Sequence, residues 1–178
     1  MATEKSKVNR RTVLAGSAAL PTTLALGTQA NASTAKFSNP DFPYEVTFTD
    51  AEWKERLSEL EYFVMREGGT EPRQSSLLAF EKRDGTYACK GCDLPAFEST
   101  WKVPHFDIGW VFFKQAIPDA VLTGVDMSFN PQGMNEDEVG ATIECHCRRC
   151  GSHIGHILNV RGDVLHCLNG TSLVFSPV

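Results

Sequence analysis

The chain has 178 residues, 42% of them hydrophobic and 22% charged, with 14 glycines and nine prolines. That composition excludes a wholly disordered, collagen-like or polytopic membrane protein, and the length suits one domain with a core of its own. Net charge is −5, and because the first 32 residues are basic the remainder is more acidic still, which argues against nucleic acid or anionic lipid as the main partner.

Residues 1–32 read as an address segment. Arg10-Arg11 precede a mildly apolar run from Thr12 to Gly27 that Pro21 interrupts, shorter than the roughly 18 apolar residues of a spanning helix. Ala30-Asn31-Ala32 fits an A-x-A cleavage site. The paired arginines resemble a twin-arginine export signal, with Asn9 and Val13 departing from the usual pattern. A plain N-terminal helix or basic tail is the alternative. As a signal, the segment implies a mature chain that starts near Ser33, has no membrane span and works in a bacterial periplasm. Residues 33–45 mix Ser, Thr, Asn and Pro without periodicity and read as a linker, leaving 46–178 as the functional domain.

Thr49-x-x-Glu52 and Ser58-x-x-Glu61 are both capping-box patterns, and Gly68-Gly69 is a stop. Two short helices or one kinked helix fit 50–66 equally well. Beyond them the runs Leu77 to Phe80, Trp110 to Phe113, Val139 to Ile143, His153 to Val160, Asp163 to Leu168 and Leu173 to Phe175 are strand-like, parted by turn signals such as Asp84-Gly85, Asn130-Pro131 and Arg161-Gly162. The expected fold is α+β: a mostly antiparallel β domain with a helical lead.

All six cysteines lie between residues 89 and 167. Cys89-x-x-Cys92 and Cys147-x-x-Cys150 are two knuckles whose spacing aims paired sulfurs at a point about 2.3 Å from a zinc ion, with Gly91 and Gly151 at the turns. A thioredoxin-type redox pair or two structural disulfides are the other readings. A closed four-thiolate zinc site would join strands without an open coordination position. Cys145, in Cys145-His146-Cys147, shares a strand face with Cys147 and so can lie near the metal without binding it.

One thiol then remains, Cys167. If Arg161-Gly162 is a two-residue turn, Val160 faces Asp163 and His156 faces Cys167. A histidine across from a thiol can stabilise its thiolate, the nucleophilic form. A core-filling cysteine beside a structural histidine is the plainer alternative.

These residues together resemble the methionine-(R)-sulfoxide reductases, the B type. The knuckles, His153-Ile-Gly-His156 and Cys167-Leu-Asn169 match that family's two zinc-binding CxxC pairs, its H-L-G-H segment and its R-Y-C-I-N motif. Further likeness runs through Glu61 to Arg66, Gly69-Thr70-Glu71, Gly109-Trp110, Gly133-Met134 and Leu173-Val174-Phe175. The resemblance implies a two-sheet, β-tent-like domain with one structural zinc ion on Cys89, Cys92, Cys147 and Cys150. It implies reduction of protein-bound R-methionine sulfoxide, with Cys167 as nucleophile and a sulfenic acid as its oxidised product. His156, assisted by His153, would protonate the sulfoxide oxygen, Asn169 would help orient the histidine, and Trp110 would pack on the substrate methyl. Oxidised proteins or peptides are the implied substrates, and a thioredoxin-like or other thiol is the implied reductant.

The chain departs from that family at four places. Ile108 stands where many members carry a resolving cysteine, Val111 replaces the proline after the tryptophan, Leu165-His166 replace Arg-Tyr, and the D-G-P loop between His156 and Cys167 is missing. Cys145 or an external thiol is then left to recycle Cys167. The loss of the Arg removes a cation that could lower the Cys167 pKa; His166, one residue off in the strand, is expected to face the other side. A zinc-ribbon-like binding or structural module with a relic active site, and a thiol–disulfide oxidoreductase using one CxxC, are the competing function classes.

Overall fold

The computed structural model describes residues 32–36, 38–103, 109–126, 142–160 and 162–178. Residues 1–31 of the export-like segment, the Gly133-Met134 motif and Ile108 lie outside them.

Two helices follow the two capping boxes. Helix α1 is Asp50–Arg56, capped by Thr49, and α2 is Glu59–Glu67, capped by Ser58; in each the Glu at the third position reaches back to the cap backbone. Two reciprocal boxes nine residues apart start two helices, not one with a kink. Gly68 ends α2 with φ 69°, a left-handed conformation that glycine adopts without a steric penalty.

Among the described residues, eight strands form two antiparallel sheets. Strands β1 (Gly85–Cys89), β2 (Pro95–Glu98) and β8 (Leu173–Pro177) make a three-stranded sheet in the order β2-β1-β8. Strands β3 (Val111–Phe113), β4 (Val121–Asp126), β5 (Thr142–Cys147), β6 (His153–Val160) and β7 (Asp163–Leu168) make a five-stranded sheet in the order β3-β7-β6-β5-β4. The α+β, mostly antiparallel reading holds, and β6 and β7 have the limits that their apolar runs imply. Strands β1, β2 and β4 are too short or too polar to stand out in the sequence. The strand expected at Val139 to Ile143 is Thr142–Cys147, with 139–141 outside the described residues.

Leu77 to Phe80, expected as a strand, is a 3₁₀ turn at Leu77–Ala79. The Ser76 side chain accepts the Leu78 N–H, and Leu77 is 85% exposed. A four-residue apolar run carries no periodicity that separates strand from turn.

The core lies between the sheets and under the helices. Trp53, Val64 and Met65 from the helices meet Tyr87, Phe97, Val111, Phe113, Ile154 and Leu168 from the strands. Phe113 is central: its ring centroid is 5.0 Å from Tyr87 and 4.8 Å from Phe97. Strand alternation decides the rest. Val111, Phe113 and Leu168 point into this core, so Phe112 and Cys167, which pair across β3 and β7, share the opposite face. His166 also points coreward, its ring 5.6 Å from Phe97.

Candidate active site and metal centre

The metal centre forms where the two sheets meet. Cys89 ends β1 and Cys147 ends β5, while Cys92 and Cys150 sit in the turns that follow. Both turns are built alike: Asp93 donates its N–H to the Cys89 carbonyl and Gly151 its N–H to that of Cys147, each at 2.8 Å. Each donor has a positive φ, 58° at Asp93 and 70° at Gly151. The turn glycine of the first knuckle is therefore not Gly91, whose backbone is ordinary. A Cβ on Gly91 would stand 3.2 Å from Met65 and from the Ser152 hydroxyl.

The four sulfurs lie within 4.8 Å of one another, with Cys89 to Cys150 at 3.7 Å and Cys92 to Cys147 at 3.4 Å. Tetrahedral thiolate around an ion at about 2.3 Å requires edges of about 3.8 Å. The donor set therefore fits one metal ion of zinc type. Four sulfurs this close cannot all ionise without a cation among them. Arg66 supplies a second cation nearby. It stacks 4.3 Å over Trp53 and donates to the Cys150 carbonyl at 3.3 Å and the Ser152 hydroxyl at 3.2 Å, which itself lies 3.2 Å from the Cys150 sulfur.

Cys145 is outside the cluster. It is fully buried, and burial pushes its thiol up to about 12. It pairs with Gly155, which pairs with Leu168, so its side chain is on the core face and Cys167 on the other. No resolving role for Cys145 fits that placement.

The β6–β7 register is the one a two-residue turn requires: Val160 faces Asp163 and His156 faces Cys167. Extending the row across the sheet gives Phe112, Cys167, His156 and Glu144 as successive partners on β3, β7, β6 and β5. Cross-strand partners hold their Cβ atoms about 4.5–5.5 Å apart. Trp110, two residues before Phe112, is half-buried, and its Nε1 is buried with no hydrogen-bond partner among the described residues.

The polar partners explain how the imidazoles are held. His156 shares a hydrogen bond through Nε2 with Asp126 Oδ2 at 3.0 Å, and both are nearly buried. His153 Nδ1 meets the Glu144 carboxyl, and Asn169 Nδ2 donates to His153 Nε2 at 3.4 Å. Asn169 therefore orients His153, not His156. Its own Oδ1 accepts the Glu71 N–H at 3.0 Å. The Glu71 carboxylate in turn accepts the N–H groups of Gly170 and Thr171, both at 2.8 Å, and the Thr171 hydroxyl at 2.6 Å.

Burial sets the protonation states. It pushes His153 down to about 4 and His156 below its usual value, against the pull of Asp126 on the latter. It raises Glu144 to about 7, opposed by His146. The Cys167 thiol rises to about 12 through burial and the nearby Glu71 charge. The expectation of a histidine-stabilised thiolate is corrected accordingly: at rest the site pairs a thiol with a neutral imidazole. His166 cannot replace the missing arginine, because it lies on the core face.

Sequence reading missed Asp126, Glu144, Phe112 and the structural use of Glu71. A signal for one of them exists. Glu144 and His146 alternate with Ile143, Cys145 and Cys147 along β5, the period-two pattern of a strand with one polar and one apolar face.

Residues 57–177 match the family described as the SelR domain. The chain is 36% identical over 141 residues to peptide methionine sulfoxide reductase MsrB of Alteromonas mediterranea, which covers 76% of this chain and 91% of that one. It is 34% identical over 141 residues to peptide methionine sulfoxide reductase B3 of Arabidopsis thaliana, covering 76% and 73%, and 34% identical over 143 residues to the MsrB of Leifsonia xyli subsp. xyli, covering 75% and 93%.

Proposed function

The chain belongs to the SelR-domain family and is a peptide-methionine (R)-S-oxide reductase, and on that premise we propose that Cys167 is its nucleophile and His156 its proton carrier. The observation that supports this is the row Phe112, Cys167, His156, Glu144, with His156 tied to Asp126.

Because His156 directs Nε2–H at a carboxylate, its neutral ring keeps Nδ1 as the basic nitrogen. The ring takes the thiol proton, becoming an imidazolium that Asp126 stabilises, and the Cys167 sulfur bonds to the sulfoxide sulfur. The proton then passes to the sulfoxide oxygen as its bond to methionine sulfur breaks. The released hydroxide then attacks the Cys167 sulfur of the sulfonium so formed, the S–S bond breaks with its electron pair going to methionine, and Cys167 is left as a sulfenic acid, so the two electrons come from Cys167. Two equivalents of external thiol return the sulfenic acid to thiol, giving a disulfide and water. The apolar faces of Trp110 and Phe112 suit the S-methyl group of the substrate.

Zinc held by Cys89, Cys92, Cys147 and Cys150 would clamp β1 to β5, with no open position for chemistry. Oxidised proteins or peptides are the substrates of this reading, and a thioredoxin-like or small thiol its reductant. Export through the twin-arginine segment would place the enzyme in the periplasm, and replacing Arg10-Arg11 by Lys-Lys would then hold it in the cytoplasm. The reaction is tested by turnover of dabsylated methionine-R-sulfoxide with dithiothreitol. Wild type should be active and Cys167→Ser inert; equal rates would reject Cys167 as nucleophile.

A further inference from the structure

Glu144 is a fully buried acid facing no arginine among the described residues. The groups around it are His146 on its own strand, His153 and His156 on β6, Asp126 on β4 and Lys36 from the N-terminal segment. His146 Nδ1 is 3.7 Å away, too long for a hydrogen bond, and the second carboxyl oxygen has no partner among the described residues. Among the described residues His153 is the one hydrogen-bond contact of Glu144, and the other nitrogen of that ring is already an acceptor for Asn169. A neutral imidazole has one N–H, so His153 must carry it on Nδ1 and donate it to Glu144.

A continuous chain results. Glu144 on β5 holds His153 on β6, His153 accepts from Asn169, Asn169 accepts the Glu71 N–H, and the Glu71 carboxylate accepts the N–H groups of residues 170 and 171. Its Asn169 link lies two residues beyond Cys167. We infer that Glu144 is a positioning residue for the reductase reaction: acting through His153, it fixes the tautomer that aligns Asn169 behind the nucleophile, and its charge biases proton transfer in the row it shares with His156 and Cys167. This rests on the catalytic reading of Cys167 and His156.

The row gives the sign. Glu144 is the immediate cross-strand partner of His156 and one strand further from Cys167. An anion there stabilises an imidazolium more than it opposes a thiolate, so ionised Glu144 favours moving the thiol proton onto the ring. The carboxyl ionises near pH 7, so the single-turnover rate rises with pH across that range.

The test is the pH profile of R-sulfoxide reduction in a single turnover, with ¹⁵N NMR of the His153 ring, in wild type, Glu144→Gln and Glu144→Leu. The Gln variant keeps an acceptor for His153 without a titrating charge. It should retain the Nδ1–H tautomer and lose the rise near pH 7. In Glu144→Leu the His153 proton should redistribute toward Nε2 and the rate should fall at least about tenfold, as when the orienting partner of a functional histidine is removed. A Gln variant with the wild-type pH profile, or a Leu variant with the wild-type tautomer, overturns the inference. If Leu does not fold, Gln decides it. If wild type reduces no R-sulfoxide the catalytic reading fails, and the tautomer alone then decides the placement.

Discussion

His153 and His156 stand on one face of β6, ring centroids 5.2 Å apart, although three residues along a regular strand would put them on opposite faces. The cause is a bulge. Cys145 pairs with Gly155 but His146 pairs with His153, so Ile154 is an extra residue that turns into the core while both histidines face the site. Gly155 permits it, because a Cβ there would collide with the Cys167 carbonyl oxygen and press on the Leu168 Cα. The spacing of the H-x-G-H segment is thus the spacing of a bulge whose glycine lets β7 approach.

Gly155→Ala should therefore push β7 away from β6 and move Cys167 relative to both rings. Expected is a stability loss of about 1–3 kcal/mol, the usual range for overpacking, together with loss of turnover. A denaturant melt and the dabsyl assay measure the two, and an active protein of wild-type stability would contradict the bulge account.

Asp126 is the carboxylate that keeps His156 in its Nε2–H form. Asp126→Asn should lower single-turnover reduction by about 10–100-fold with a smaller change in KM, because the substitution leaves the proposed methyl-binding faces of Trp110 and Phe112 in place. An unchanged kcat would show that His156 does not carry the proton.

Cys167 and Cys145 should separate cleanly by chemistry. After R-sulfoxide treatment without reductant, dimedone should label Cys167 in wild type and in Cys145→Ser, and dithiothreitol should support turnover in both. A Cys145–Cys167 disulfide found by peptide mapping would contradict their placement on opposite faces of the sheet.

The buried Glu144 and His153 make opposed contributions to stability with pH. Glu144 rises from 4.5 to about 7 on folding, so its contribution is present below pH 4.5 and lost as pH climbs toward 7. His153 falls from 6.5 to about 4, so its neutral burial is favoured above 6.5 and lost as pH drops toward 4. Between 4.5 and 6.5 the two slopes oppose each other. Glu144→Gln removes the acid's share alone, so its stability relative to wild type should increase as pH goes from 4.5 to 7. Urea melts across that range check the sign; a difference that stays constant would place the Glu144 pKa elsewhere.

The metal centre predicts one zinc per chain by elemental analysis. Cys89→Ser, or chelation, should lower the Tm markedly, because ligand loss couples directly to folding and several kcal/mol are at stake. An unchanged Tm would remove the clamp between β1 and β5.

Where residues act on near neighbours, this fold and site are legible in the chain itself. The two capping boxes start α1 and α2 because each closes within four residues. The two-residue connection aligns His156 with Cys167 because a turn that short favours a single register, and the repeated CxxC spacing marks the four sulfurs that cluster. Leu77 to Phe80 reads wrongly because its state depends on a Ser76 hydroxyl and on what does not cover it. What only the tertiary structure decided is which faces are buried and who meets whom across strands. Asp126 meets His156 across 30 residues, and Glu71 reaches Gly170 across 99. Cys145 is turned away from Cys167, and burial leaves Cys167 a thiol and His156 neutral. Those outcomes follow from desolvation and strand pairing, both properties of the assembled sheets, which no local pattern contains.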